Sequence, residues 1–154
     1  MPVFQSSRSV GYVPQDMFAL VADVQHYPEF LPLCEALKVR RRNILDDGRE
    51  MLIADMTIGY KAIRETFTSR VTLDPAAMKI LVEYVDGPFS HMQNRWSFVS
   101  ENSGTRVEFF IDYQFKSRML GLLMGAMFDT AFRKFSDAFV ERAGVVYGTR
   151  KAPA

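Results

Sequence analysis

From Glu35 to Phe115 apolar and polar residues alternate along the chain, and this period of two predicts β-strands. The alternation is clearest at the end of this region, where five apolar residues share one predicted face: Val107, Phe109, Ile111, Tyr113 and Phe115. Turn sequences such as Asp46-Asp47-Gly48 and Glu101-Asn102-Ser103-Gly104 separate the alternating segments. With a first strand over Val3–Tyr12, seven strands are predicted, and their short connections indicate an antiparallel sheet.

A period of 3.6 replaces the alternation after Lys116 and persists to about Tyr147, which predicts one long C-terminal helix. Its apolar stripe is wide and consists of Leu120, Leu123, Met124, Met127, Phe128, Ala131, Phe132, Phe135 and Phe139. A shorter helix is predicted to begin at Pro14. Beyond it, Pro28 and Pro32 forbid a long regular helix, so we expect a compact turn there.

These elements predict an α+β fold in which a curved, seven-stranded antiparallel sheet wraps around the long helix, with two short helices after strand 1. The alternation implies that one face of the sheet is buried. Because both facing surfaces carry large rings, we expect helix and sheet to touch at one end and to leave an apolar, ligand-sized space at the other. The predicted domain covers residues 1–147, and residues 148–154 are expected to form a loose tail.

The composition agrees with an apolar interior. The 154 residues include 13 Phe and 9 Met, whose side chains fill irregular interiors and line pockets. An ordinary filled core explains the same counts equally well. A net charge of +1 gives no overall attraction to DNA. Neither a signal peptide nor a bilayer-spanning segment is recognisable, so we expect a cytoplasmic location, at most peripheral to the inner face of the membrane.

The segment Tyr27-Pro28-Glu29-Phe30-Leu31-Pro32-Leu33-Cys34 resembles the Tyr-Pro-x-Phe-Leu-Pro-Trp-Cys signature of the coenzyme Q-binding START-domain family, within the START and polyketide-cyclase-like superfamily. Bacterial relatives in that family are named ribosome association toxins. The Gly87-Pro88-Phe89 turn, the Trp96-x-Phe98 pair and the Met- and Phe-rich final helix also resemble it. Leu33 departs from the signature, where relatives often carry Trp. The resemblance covers about Pro2 to Val146 and implies the helix-grip fold.

The resemblance also implies a function. It indicates a non-enzymatic carrier or chaperone of ubiquinone, without a cofactor, that supports respiration or quinone biosynthesis. Two alternatives stay open. The bacterial relatives imply a ribosome-associating, toxin-like regulator of translation. A polyketide cyclase or aromatase has the same fold, with Glu65 and Tyr113 as acid–base candidates, although no convincing catalytic dyad is visible in the sequence.

Ten residues on the predicted facing surfaces are candidates for ligand binding: Glu65, Phe67, Asn94, Trp96, Phe98, Phe109, Tyr113, Met124, Phe128 and Phe132. Their rings suit a planar quinone head and an isoprenoid tail. Glu65 and Asn94 are candidate polar contacts to a quinone carbonyl. A structural hydrogen bond or ion pair is the alternative role for Glu65, and a hydrogen bond to the backbone is the alternative for Asn94.

A second set is expected to form the motif turn and the mouth of the interior: Tyr27, Pro28, Phe30, Leu31, Pro32, Gly87, Pro88, Phe89, Gly121 and Gly125. Each helix glycine costs about 1 kcal/mol relative to Ala. We therefore expect a compensating close approach or local flexibility opposite the Gly87 turn, with close helix-to-loop packing as the alternative. The apolar sequence Met119–Met124 is a candidate for transient contact with a membrane surface.

A basic patch is predicted on the outer face of neighbouring strands, formed by Lys38, Arg40, Arg42, Arg64 and Arg70. Such a patch suits phospholipid head groups or ribosomal RNA, and a merely solvated face is the alternative. His26 and His91 lack the spacing of metal ligands, and Cys34 lacks a neighbouring base in sequence. No metal site and no nucleophile are therefore predicted.

Overall fold

The structure is a computed structural model that describes residues 3–148 of the chain. These residues form seven strands: Val3–Val10 (β1), Cys34–Ile44 (β2), Glu50–Tyr60 (β3), Ile63–Asp74 (β4), Lys79–Asp86 (β5), Phe89–Glu101 (β6) and Gly104–Phe115 (β7). The helices are Pro14–Ala22 (α1), a 3₁₀ helix over Val24–Glu29, and Arg118–Tyr147 (α2). Of the predicted loose tail, Gly148 is described and residues 149–154 lie outside the described part.

The strands form one antiparallel sheet in the order β1-β7-β6-β5-β4-β3-β2. Strands β2 to β7 follow one another in both sequence and space, as their hairpin turns predict. Strand β1 pairs with β7, from Val3 opposite Asp112 to Val10 opposite Thr105. With α2 against one face of the curved sheet, the predicted α+β helix-grip fold is confirmed.

The core lies between the sheet and α2. Along β4, alternate residues from Phe67 to Leu73 are buried, whereas Arg64 and Arg70 on the other face are exposed. The sheet face thus supplies one surface, as the period of two predicts. The other surface is the apolar stripe of α2, whose buried residues are Met124, Phe128, Ala131, Phe132, Phe139 and Ala143.

A β-bulge in β2 corrects the predicted position of Arg42. The register shifts between Val39 and Arg41, so that Arg42 pairs with Leu52. Leu52 is fully buried, and directly paired residues lie on one face of a sheet. Arg42 therefore lies on the side of the interior, near the exposed end of the strand, and not on the outer face as predicted.

The two glycines near the start of α2 are not in close contact with the rest of the protein. A Cβ at Gly125 would meet no atom within 4 Å, and one at Gly121 would lie 3.9 Å from the Phe115 side chain. Gly87 differs, because its φ of +143° favours glycine and a Cβ there would lie 2.6 Å from the Cβ of Phe67. The turn between β5 and β6 thus requires a glycine, whereas the predicted close approach at the start of α2 is not formed.

Candidate functional site

An apolar cavity of about 120 Å³ lies between the inner face of the sheet and α2. Its wall is built from β2 to β7, from α2 and from the turn that follows the 3₁₀ helix. Seven of the ten residues predicted to bind a ligand line it: Phe67, Asn94, Trp96, Phe109, Tyr113, Phe128 and Phe132. The two sequence periods therefore correctly indicate which surfaces face each other.

The other three predicted residues lie outside the cavity wall. Phe98 is farther along β6, where its ring contacts that of Phe18 in α1 at 5.8 Å. Met124 is fully buried away from the cavity. Glu65 is half-buried on β4, close to the turn from β3, and does not present its carboxylate to the cavity. Position along a strand, and not only its face, decides which residues reach this space.

The octapeptide motif forms one side of the cavity. Four of its residues line the wall: Tyr27, Leu31, Pro32 and Leu33. Pro28 lies outside the wall, and the ring of Phe30 packs edge-on against Phe139 at 5.2 Å. The Tyr27 hydroxyl donates a hydrogen bond to the Val21 carbonyl, and burial raises the pKa of Tyr27 above its ordinary value of 10.0. Its hydroxyl is thus already engaged within the protein.

The predicted mouth at the β5–β6 turn is closed in the structure. Phe89 is 2% exposed, and its ring stacks on that of Phe115 with 4.8 Å between centroids. The N–H of Lys116 donates to the Pro88 carbonyl at 2.8 Å, which ties the turn to the start of α2. Phe89 lines the cavity, whereas four other residues of the predicted mouth do not: Gly87, Pro88, Gly121 and Gly125.

The amide of Asn94 is held by two hydrogen bonds. Its Nδ2 donates to the Phe110 carbonyl at 2.8 Å, and its Oδ1 accepts from Trp96 Nε1–H at 2.9 Å. One amide N–H is left for a ligand. The amide orients the indole ring of Trp96 in the cavity wall. Asn94 therefore also makes the hydrogen bond to the backbone that was its alternative role.

Two hydroxyls in the wall, those of Ser69 and Tyr113, have no hydrogen-bond partner within residues 3–148. The two residues are only 6% and 3% exposed. Every polar side-chain atom that is completely sealed in this part of the chain has a partner, so these two oxygens border open space. A ligand atom that accepts a hydrogen bond would find a free donor at each of them.

The strand register places these two hydroxyls on one row across the sheet. Ser69 of β4 pairs with Tyr84 of β5, and Met92 of β6 pairs with Tyr113 of β7. The last residues paired between β5 and β6 are Glu83 and Gln93, so the next residues along, Tyr84 and Met92, continue the same row. Ser69 and Tyr113 therefore lie on the same inner face of the sheet, three strands apart, and both line the cavity. Burial, together with a nearby carboxylate, raises the pKa of Tyr113, so its hydroxyl stays protonated at neutral pH.

Ser69 is the polar wall residue that sequence reasoning missed. It lies two positions after Phe67, on the inward set of β4. The alternation that places Phe67 in the interior places Ser69 there too, and that is the signal available from sequence. Its missing partner is visible only in three dimensions.

A sequence model of the family described as polyketide cyclase / dehydrase and lipid transport matches residues 10–140. The chain belongs to this family. It is 32% identical over 143 residues to ribosome association toxin RatA of Rickettsia prowazekii, which covers 91% of this chain and 94% of that protein. It is 34% identical over 147 residues to RatA of Vibrio cholerae, and this alignment covers 94% of this chain and 98% of that protein.

A further relative in this family is the mitochondrial coenzyme Q-binding protein coq10 of Schizosaccharomyces pombe, 28% identical over 144 residues, or 92% of this chain and 87% of that protein. The resemblance seen in the octapeptide motif is thereby confirmed. The solution structure of an 18 kDa protein of Caulobacter crescentus matches this structure with a TM-score of 0.80 at 33% identity. The match covers 97% of this chain and 100% of that chain. The Zhui aromatase/cyclase of Streptomyces shares the fold, with a TM-score of 0.71 at 18% identity over 96% of this chain and 98% of that chain.

In this member of the family, ion pairs neutralise much of the predicted basic patch. Three of its arginines have carboxylate partners on the outer face: Arg40 with Asp55 at 2.5 Å, Arg64 with Glu35 at 2.6 Å and Arg70 with Glu83 at 3.0 Å. Lys38 and Arg41 of β2 have no carboxylate partner within the described chain. The edge strand β2 therefore keeps two unpaired cations on this face, and Arg95 of β6, exposed beside Phe110, is a further one.

Other chemistry is limited in the described part of the protein. Cys34 is buried, and burial raises its pKa from 9.0 to about 11, so the unreactive thiol form dominates at neutral pH. Residues 3–148 contain no group of three or more His, Cys, Asp or Glu arranged to hold a metal ion. Across the same range, no helix combines the length and apolarity needed to cross a membrane.

Proposed function

We propose that this protein is a non-enzymatic carrier or chaperone for ubiquinone or a similar prenylquinone, which it holds between the sheet and α2. The observation that carries the proposal is the pair of unpartnered hydroxyls, Ser69 and Tyr113, in a mainly apolar wall. Such a wall suits a largely hydrocarbon ligand with a few hydrogen-bond acceptors. A quinone has two carbonyl oxygens on opposite edges of its ring, and each of them accepts hydrogen bonds from donors such as these two hydroxyls.

The size of the cavity adds a requirement. At about 120 Å³ it is smaller than the roughly 300–1,000 Å³ of ordinary ligand pockets. Binding therefore requires the walls to move apart. Met56 and Met92 in the wall have flexible, unbranched side chains that adapt to a new shape. The start of α2 has room to move, because a Cβ at Gly125 would meet no atom within 4 Å.

The named relatives support a binding role. The relative from Schizosaccharomyces pombe is named a coenzyme Q-binding protein, which favours a quinone as the ligand class. Glu65 and Tyr113, the acid–base candidates for a cyclase, do not share the cavity, because Glu65 lies outside its wall. The other tyrosine of the wall, Tyr27, already donates its hydroxyl to the Val21 carbonyl, so proton transfer to a bound substrate has little support.

The test uses a short-chain ubiquinone as the probe and measures binding by equilibrium dialysis and thermal stabilisation. Ser69→Ala and Tyr113→Phe each remove one hydroxyl with little change of volume. Each is expected to weaken binding roughly 2- to 10-fold, because a neutral hydrogen bond contributes about 0.5–1.5 kcal/mol. Ser97→Ala and Tyr60→Phe make the same chemical changes outside the cavity wall and should leave affinity unchanged. Absence of binding, or equal affinity in all four variants, would overturn the proposal.

Ribosome association is the second candidate function, and the names of the relatives from Rickettsia and Vibrio favour it. Lys38 and Arg41 are the unpaired cations that would contact ribosomal RNA. Lys38→Gln/Arg41→Gln should then reduce co-sedimentation with ribosomes and its salt dependence. Arg64→Gln/Arg70→Gln, which removes cations already paired, is the matched control. Identical sedimentation of both double variants and the unaltered protein would exclude this surface.

A further inference from the structure

The first turns of α2 expose apolar side chains to solvent. Met119, Leu122 and Leu123 are 70%, 78% and 54% exposed. Their spacing of three and four residues places them on one side of the helix, and we call them the α2 apolar patch. Exposed apolar side chains that cluster in this way mark sites of interaction.

The charges around this patch are positive. Lys116 and Arg118 flank it, are exposed, and have no carboxylate partner within residues 3–148. The helix begins there without an acidic residue in its first turn, so the positive end of its dipole is not neutralised. Asp86, on the neighbouring β5–β6 turn, contributes one opposing charge. The patch is thus apolar at its centre and cationic at its margin.

The patch also lies over the closed end of the cavity. Gly121 lies on the opposite, inward side of α2 from the patch, and a Cβ at Gly121 would be 3.9 Å from the Phe115 side chain. Phe115 stacks on Phe89, and Phe89 lines the cavity. The start of α2 and one layer of aromatic rings therefore separate the exposed patch from the cavity.

We propose that the α2 apolar patch docks this protein on an anionic phospholipid bilayer. The three side chains enter the interfacial region while Lys116 and Arg118 contact lipid phosphates, a combination typical of interfacial helices. A second copy of the chain fits less well, because stable protein interfaces bury about 1,200–2,000 Å² and are depleted of unpaired charge. Transfer of a quinone through the ring layer rests on the proposed carrier function, whereas the docking itself does not.

The experiment is co-sedimentation with vesicles of phosphatidylcholine, with and without phosphatidylglycerol. The unaltered protein should bind the vesicles that contain phosphatidylglycerol, and added salt should weaken binding. Leu122→Ser/Leu123→Ser should lower the partition coefficient about tenfold or more. Val145→Ser/Val146→Ser is the matched control, because these residues are equally apolar and 76% and 50% exposed at the other end of α2; it should bind as the unaltered protein does.

A second set of variants tests the cationic margin of the patch. Lys116→Gln/Arg118→Gln should weaken binding to anionic vesicles, whereas Lys38→Gln/Arg41→Gln should not. Failure of the unaltered protein to sediment with either vesicle, or equal binding by the leucine and valine double variants, would overturn the docking. A concentration-dependent dimer lost in Leu122→Ser/Leu123→Ser would overturn it too, by assigning the patch to a second copy. Quinone affinity measured without vesicles in the same variants should be unchanged, which separates this proposal from the carrier function.

Discussion

The two ends of α2 differ in how completely the protein covers them. At the C-terminal end, Phe139 and Ala143 are 3% and 0% exposed. There Arg142 pairs with Glu29 at 3.1 Å, and the Tyr147 hydroxyl donates to the backbone of α1 at 2.8 Å. In the N-terminal half, Met124 is equally buried, but a Cβ at Gly125 would meet no atom within 4 Å, and the side-chain hydrogen bonds of residues 118–132 stay within α2. One helix thus has a covered half that is hydrogen-bonded to other elements and a loosely covered half that is not.

We expect this difference to separate stability from the proposed ligand exchange. The octapeptide motif packs against the covered half, where Tyr27 and Phe30 both contact the ring of Phe139. The loosely covered half lies over Phe89, Phe115 and Phe128, the rings that close the cavity end. Segments with few buried contacts open at the lowest free energy. We therefore expect the cavity to open at the start of α2 while the motif end holds the fold.

Phe139→Ala should produce the largest loss of stability. The substitution removes a ring that contacts Tyr27, Phe30 and Trp96. A buried Phe→Ala change costs about 3–5 kcal/mol, measurable by urea denaturation. Leu122→Ala, at a position 78% exposed on the same helix, should change stability by less than about 0.5 kcal/mol. Comparable losses in the two variants would remove the distinction between the halves.

Alanine substitutions at Gly87 and Gly125 should change stability in opposite directions. Gly87→Ala forces a side chain into a backbone with φ +143° and against Phe67, so it should destabilise by about 1–3 kcal/mol. Gly125→Ala adds a methyl group where no atom lies within 4 Å, so it should stabilise α2 by about 0.5–1 kcal/mol. Thermal denaturation of both variants checks the two signs. Destabilisation by Gly125→Ala would show that the start of α2 is tightly packed.

Filling the cavity should affect ligand binding more than stability. Ala131 is 5% exposed and lines the wall, so Ala131→Met places extra atoms in the empty space. We expect a change in unfolding free energy within about 1 kcal/mol and a loss of quinone affinity of about tenfold or more. Ala126→Met, on the exposed side of α2, is the control. Unchanged affinity in Ala131→Met would place the ligand elsewhere.

A further expected effect appears only at alkaline pH. Burial raises the pKa of Cys34 from 9.0 to about 11, so the folded state favours the neutral thiol. This contribution is fully present below pH 9 and is lost as the pH rises through about 11. Urea midpoints should therefore fall over this window, and less steeply in Cys34→Ala. An identical pH dependence of the two proteins would show that Cys34 is not desolvated.

Much of the fold was predictable because periodicity reports directly on burial. Phe67, Trp96, Phe109 and Phe132 were placed on facing surfaces from spacing alone, and all four line the cavity. Residue depth was not predictable, because it depends on curvature and register. Glu65 shares a strand face with Phe67 but lies beyond the wall.

Local irregularities were equally hidden. The bulge that moves Arg42 to the other face leaves no mark in the alternation of charge and hydrophobicity. The free hydroxyl of Ser69 depends on which groups from other strands approach it, and a single strand does not contain that information.

The most direct test of the carrier proposal uses Trp96, which is the single tryptophan of the chain and lines the cavity. A quinone bound beside the indole ring should quench its fluorescence. Titration with a short-chain ubiquinone is predicted to give saturable quenching, with a midpoint that moves to higher concentration in Tyr113→Phe and in Ala131→Met. Quenching that rises linearly without saturation, as for free tryptophan in solution, would contradict binding in the cavity.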